Sequence, residues 1–267
     1  MTIAFISDIH ANLPALRAVL ADIDKRPIDA LYCLGDLVGY APWPNEVVAE
    51  VRNRRIPTIA GNYDEGVGLN SDDCGCAYRT AEDEARGEES IAFTNAVVSE
   101  ETRAYLRGLP RHVRLVFQEP RAGTATPFQL LMVHGSSRRV NEYLYEERPD
   151  KSFHRMLEAE AADVMLFGHT HKPYHKQLRY ELDGEERFRH AVNIGSVGKP
   201  KDGDARACYV LLRMHGEGTS APTPTSSLRE SIDVEFVRVE YDVEEAARAV
   251  EASPLPDAFA AMLREAR

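Results

Sequence analysis

Short apolar runs that end on a polar residue recur along this chain. Thr2 to Ile6 leads into Ser7-Asp8-Ile9-His10, and Ala30 to Leu34 leads into Gly35-Asp36. Thr58 to Ala60 leads into Gly61-Asn62-Tyr63-Asp64, Phe128 to Val133 into His134-Gly135, and Val164 to Phe167 into Gly168-His169-Thr170-His171. Runs of this length, bounded by glycine and polar residues, predict buried strands. Between the first three lie helical patterns. Leu13, Leu16, Val19, Leu20 and Ile23 share one face, with Asn12 as cap and Pro14 in the first turn. Residues 45–54 predict a second helix with Val47, Val48 and Val51 inward. This β-α-β-α-β opening calls for parallel pairing with right-handed crossovers.

Further on, residues 65–76 are rich in Gly, Asn, Ser and Asp and read as a loop; 77–97 and 99–107 read as helices. Val113 to Phe117 and Phe128 to Val133 predict a hairpin joined by a Pro/Gly/Thr turn. A helix over 151–161 precedes the strand at Val164. Strands then follow at Tyr174 to Tyr180, Arg187 to Asn193, Cys208 to Met214 and Ile232 to Tyr241. Residues 215–229 read as a Gly/Ser/Thr/Pro-rich surface loop, and two short helices finish the chain. The order is α/β first and antiparallel β later. Two facing sheets with helices outside satisfy it. No linker divides the chain, so residues 1–267 are read as one domain.

Composition narrows the function classes. A net charge of -11 argues against stable nucleic-acid binding, though not against an anionic substrate held through cations. No apolar run is long enough to cross a bilayer, and no signal segment precedes the first strand. Cys33, Cys74, Cys76 and Cys208 show no disulfide framework, so a cytoplasmic setting is expected. Cys74-Gly75-Cys76 reads as ordinary reduced loop thiols.

The strand ends supply Asp8, His10, Asp36, Asn62, His134, His169 and His171. Asp8 and His10 are two apart, as are His169 and His171, so on extended backbone each pair points one way. This inventory is too large for one tetrahedral zinc and suits two divalent ions with mixed N/O ligands. A carboxylate can bridge two cations, and Asp36 is the expected bridge. Two ions about 3.5–4 Å apart can hold a hydroxide that attacks phosphorus in line. His112, His154, His175, His190 and His215 are read as structural.

With these motifs in this order, the chain resembles the calcineurin-like metallophosphoesterases, closest in pattern to the small bacterial and archaeal phosphodiesterases. The likeness extends to Asn193-Ile194-Gly195-Ser196-Val197-Gly198. It implies a four-layer αββα sandwich of two mixed sheets. It also implies one ion on Asp8, His10, Asp36 and His171, and another on Asp36, Asn62, His134 and His169. The activity implied is hydrolysis of a small phosphodiester or nucleotide-like phosphate ester. A phosphomonoesterase and a non-catalytic metal-binding scaffold are the alternatives. Mn²⁺ is the expected ion, with Fe, Zn or Ni as others. Asp36, Asn62 and Asp64 are the expected catalytic residues, with Asp64 orienting a neighbouring ligand. Asn12, Tyr63 and Arg138 are candidate substrate contacts. Asn12 could equally be only a cap, and Arg138 only solvated charge. Many relatives carry His where Tyr63 stands. A phenol can donate a hydrogen bond but is a poor proton shuttle near neutrality. The Asp-Arg-Gly of protein phosphatases and dinucleotide-cleaving relatives is replaced here by Val38-Gly39-Tyr40 after Asp36 and Leu37.

Overall fold

The computed structural model describes residues 1–78, 80–118, 127–182, 184–214 and 232–267. The expected surface loop at 215–229 and most of the hairpin turn lie outside them. Strand β1 (Thr2–Ile6) is followed by α1 (Leu13–Ile23), β2 (Ala30–Cys33) and α2 (Pro44–Asn53). Helices α3 (Asn62–Gly68), α4 (Ala81–Val97) and α5 (Glu100–Arg107) come next, then β3 (His112–Phe117) and β4 (Phe128–Val133). Helix α6 (Asp150–Ala159) precedes β5 (Val164–Phe167), β6 (Tyr174–Leu182), β7 (Glu185–Asn193), β8 (Ala207–Met214) and β9 (Ile232–Val239). Helices α7 (Val243–Glu251) and α8 (Asp257–Glu265) close the chain.

The strands form two mixed sheets, ordered β2-β1-β8-β9 and β3-β4-β5-β7-β6. In the first, β1 is parallel to β2 and antiparallel to β8. In the second, β4, β5 and β7 run parallel, so their C-terminal ends share one edge. The period-2 alternation of β1 explains the layering. Ile3 and Phe5, with Val210 and Leu212, meet Phe128, Leu130, Met132, Val164, Leu166 and Val192 of the other sheet. Ala4 and Ile6 face the opposite way, into the apolar stripes of α1 and α2. Leu131, Val133, Met165 and Phe167 pack on Phe153, Met156 and Leu157 of α6. Two sheets face to face with helices outside is the expected sandwich. No helix among the described residues is long and apolar enough to cross a membrane.

Three local expectations need correction. The third strand of the opening is a single bridge between Cys33 and Thr58. Pro57 has no N–H to extend the ladder, and the Ala60 N–H goes to Pro110 instead. The expected loop at 65–76 begins as helix, because α3 starts at Asn62. The Asp64 carboxylate reaches back to the Gly61 N–H at 3.0 Å, which offsets the poor propensity of Gly66 and Gly68. The helix expected from residue 77 starts at Ala81, where the Thr80 hydroxyl accepts from Asp83 N–H.

Candidate metal centre

The strand ends do not stay extended. Asp8, His10, Asp36, His169 and His171 all have positive φ, from 49° to 63°. The i, i+2 spacing of the two ligand pairs therefore works through left-handed turns, not through strand alternation. These turns are locked by neighbours at close range. A Cβ on Gly61 would sit 2.0 Å from Asp36 Oδ1, and one on Gly168 would sit 2.3 Å from Asp8 Oδ2. Glycine is required at both because the ligand carboxylates occupy the space a side chain would need.

The turns bring all seven predicted ligands into one buried centre, each 3% exposed or less. Asp8, His10 and His171 form one set, and Asp36, His134 and His169 a second; within each set the ligand atoms lie within 4.8 Å of one another. Asp36 Oδ2 is 3.6 Å from His10 Nε2 and 3.3 Å from His134 Nε2, so it stands between the sets. Its Oδ1 accepts the Tyr63 N–H at 2.9 Å. One oxygen thus faces both sets while the other fixes the side chain. Asn62 donates through Nδ2 to Cys74 O, which turns Oδ1 inward, 3.2 Å from His134 Nε2.

Three rings are oriented by backbone. Nδ1 of His10, His134 and His171 donates to the carbonyls of Val38, Leu34 and Lys199 at 3.1, 2.8 and 2.6 Å. A carbonyl only accepts, so each Nδ1 carries hydrogen and each Nε2 faces the centre. Burial, reinforced by the other ring, pushes His10 well below the ordinary imidazole pKa; burial and Lys201 lower His171. Both rings are therefore neutral, yet their bare Nε2 atoms lie 3.1 Å apart. Two lone pairs so placed repel unless a cation takes them. His169 Nε2 is buried with no hydrogen-bond partner. The donor set thus fits bound divalent ions on physical grounds.

The carboxylates complete the electrostatics. Burial works against charge on Asp8, but each proton held on His171, His134 or His10 favours it, and its carboxyl lies far below the usual range. Burial likewise opposes charge on His134, but Asp36 and then Asp8 raise it to about 10. Burial and then Asp36 push Asp64 up to about 7. Asp64 gives its two oxygens to Leu37 N–H and Gly61 N–H, at 2.9 and 3.0 Å. It ties together the two turns that carry Asp36 and Asn62.

The candidate substrate contacts fare differently. Asn12 is fully buried; it caps α1 through Ala15 N–H and donates to Gly198 O and Tyr241 Oη. Its hydrogen-bonding capacity serves the fold. Arg138 pairs with Glu142 outside the seven-ligand set. Tyr63 lies under His10 and beside Tyr40, and its hydroxyl is buried without a partner. Sequence reasoning missed Tyr143, whose ring stands 4.1 Å from that of His169, and Tyr40, edge-on to His10 at 4.8 Å. It also missed Lys172, Lys199 and Lys201, which line a cavity of about 380 Å³ with Thr170 of the ligand turn. Only Lys199 carried a signal, because it follows the Asn193–Gly198 motif.

A two-sheet sandwich with paired Asp/His sets along one edge has the architecture of a metal-dependent phosphoesterase. The chain belongs to the calcineurin-like phosphoesterase superfamily, whose domain profile matches residues 1–217. It is 32% identical to an uncharacterised protein of Methanocaldococcus jannaschii, over 96% of this chain and 94% of that one. Its structure resembles that of a metallophosphoesterase from Sphaerobacter thermophilus, with TM-score 0.70, 27% identity, and 100% and 99% of the two chains covered. A hypothetical protein of Pyrococcus horikoshii shares the fold, with TM-score 0.74, 21% identity, and 98% and 97% covered.

Proposed function

We propose that the chain hydrolyses a small phosphodiester or nucleotide-like phosphate ester, using two divalent ions, Mn²⁺ first among them. The observation that carries this reading is the opposed, uncharged Nε2 atoms of His10 and His171, beside the orphaned Nε2 of His169. Asp8, His10, Asp36 and His171 would hold one ion; Asp36, Asn62, His134 and His169 would hold the other. Such ions supply Lewis-acid polarisation of a phosphoryl oxygen and lower the pKa of bound water. The residues of the chain set the geometry. Asp36 offers Oδ2 to both sets, the Val38, Leu34 and Lys199 carbonyls fix three imidazoles, and Asp64 clamps the turns bearing Asp36 and Asn62. Complete ligand sets favour turnover over a bare scaffold. The four free thiols fit a reducing compartment such as the cytoplasm.

The test is turnover of bis(p-nitrophenyl) phosphate under Mn²⁺ by wild type and Asp36→Asn. The substitution keeps the shape and removes the charge between the two sets. A loss of about a thousandfold, roughly 4 kcal/mol of barrier, is expected. Turnover within tenfold of wild type would remove Asp36 from its role. The rate ratio against p-nitrophenyl phosphate separates diesterase from monoesterase.

A further inference from the structure

Next to the metal centre, Thr170 opens onto the cavity of about 380 Å³ whose lining includes Lys172, Lys199 and Lys201. Lys199 is 4% exposed. Its Nζ meets the Met262 sulfur at 3.7 Å and the Tyr40 ring at 4.8 Å, and neither carries charge. Among the described residues no carboxylate pairs with any of the three lysines. Other charges at the cavity are already matched. Arg86 pairs with Asp83 and Glu82, and Arg267 with Glu265. A buried ammonium without a counter-charge is costly. A chain of net charge -11 that nonetheless gathers three unpaired lysines beside its metal centre has built a place for an anion.

The same cavity is also lined by Tyr143 and Tyr145, stacked 5.8 Å apart at 13°. Tyr143 also lies against His169. A flat group stacked on this pair would share the cavity with the three lysines.

We propose that this cavity is a subsite for a second phosphate, so that the substrate is a nucleotide-type ester with at least two phosphates. Lys199 and Lys201 take the phosphate that is not attacked, Lys172 adds charge at the mouth, and the tyrosines take the base. The inference rests on the phosphoesterase reading for its hydrolytic meaning. The binding it claims can be measured without turnover.

The experiment is calorimetric titration of the full-length chain with AMP and with ADP. Wild type should bind ADP more tightly. A charge-assisted hydrogen bond is worth about tenfold or more in affinity. Lys199→Met, which suits a site already lined by Met262, and Lys201→Met should each weaken ADP by about that factor and leave AMP within about twofold. Tyr145→Ala should weaken both nucleotides together. Lys201 is partly exposed, so its variant reports even if the buried substitution fails to fold. Equal affinity of wild type for AMP and ADP, or equal weakening of both by the lysine variants, would overturn the subsite. ADP-selective binding without hydrolysis of any ester under Mn²⁺ would uphold the subsite and overturn the hydrolytic reading instead.

Discussion

Gly61→Ala tests the site without replacing any candidate ligand. Gly61 has φ of -86°, so alanine suits the backbone and only space is at issue. The added Cβ would lie 2.0 Å from Asp36 Oδ1 and 2.3 Å from Asp36 N, where ordinary contact begins at 3.4 Å. Because the Asp36 N belongs to the backbone, the carboxylate cannot relieve the contact by itself; the Asp36 turn or the Gly61 turn must shift by about 1.1–1.4 Å. Either movement breaks the 2.9 Å bond from Tyr63 N–H that aims Oδ2 at both ligand sets. A misplacement of about 1 Å costs on the order of a hundredfold in rate. Overpacking of this kind costs about 1–3 kcal/mol in stability, within the roughly 5–15 kcal/mol that folded proteins hold. The expected result is a folded protein with at least a hundredfold loss of diester turnover and fewer than two ions per chain by elemental analysis. A Gly61→Ala protein with full turnover and two ions would refute the claim that Asp36 is held in place by this contact.

Other expectations follow from the same centre. Tyr63→Phe removes a buried hydroxyl that has no partner, so turnover should stay within about tenfold and thermal stability should not fall. A loss of several orders of magnitude would give the phenol a proton-transfer role. Cation binding at pH 8 should release about one proton, because Asp36 and Asp8 hold His134 at about 10 and a ligand nitrogen must be bare. Calorimetry in two buffers of different ionisation enthalpy measures this, and zero release would mean that Asp36 and Asp8 do not hold a proton on His134. Without cations the linkage sign is fixed. The folded state keeps a proton on His134 that the unfolded chain loses at about 6.5. That contribution is full below this value and disappears as pH rises through about 10. The chelated protein should therefore lose stability between pH 7 and 10 relative to His134→Gln, and a parallel profile for the two would contradict it.

The candidate ligands were legible in the sequence because their chemistry is confined to few residue types. Asp, Asn or His just past an apolar run is a recognisable event, and its repetition after five such runs leaves little room for chance. The sheet order was less accessible. Whether Thr58–Ala60 completes a strand depends on Pro57 and on a distant carbonyl at Pro110. Helix α3 was hidden because its glycines argue against helix, while its start is secured by a single carboxylate, Asp64. The groups that orient the imidazoles could not be read at all. Leu34, Val38 and Lys199 act through their carbonyls, which every residue possesses. Arg138 and Asn12 illustrate what the sequence leaves open. Both have the right side chains for phosphate, but partners unseen in the sequence, Glu142 and Gly198 with Tyr241, already engage them.

The spacing of Asp8 with His10 and of His169 with His171 was informative for a reason other than strand alternation. Left-handed backbone costs an ordinary residue about 1–2 kcal/mol. Asp, Asn and His enter that region several-fold more often than other non-glycine residues. The residue types able to bind cations are thus also among those that tolerate these turns, and five of the seven candidate ligands use that tolerance. Strain of this kind persists only where the surroundings over-determine it. Here the Asp8 N–H is held by Gly35 O, the His10 N–H by Asp36 O and the His169 N–H by the Asp8 carboxylate. Each ligand turn is thereby fixed by the next, which makes the centre one cooperative unit joining both sheets. A change confined to one turn, such as Gly61→Ala, should consequently be felt by both ligand sets.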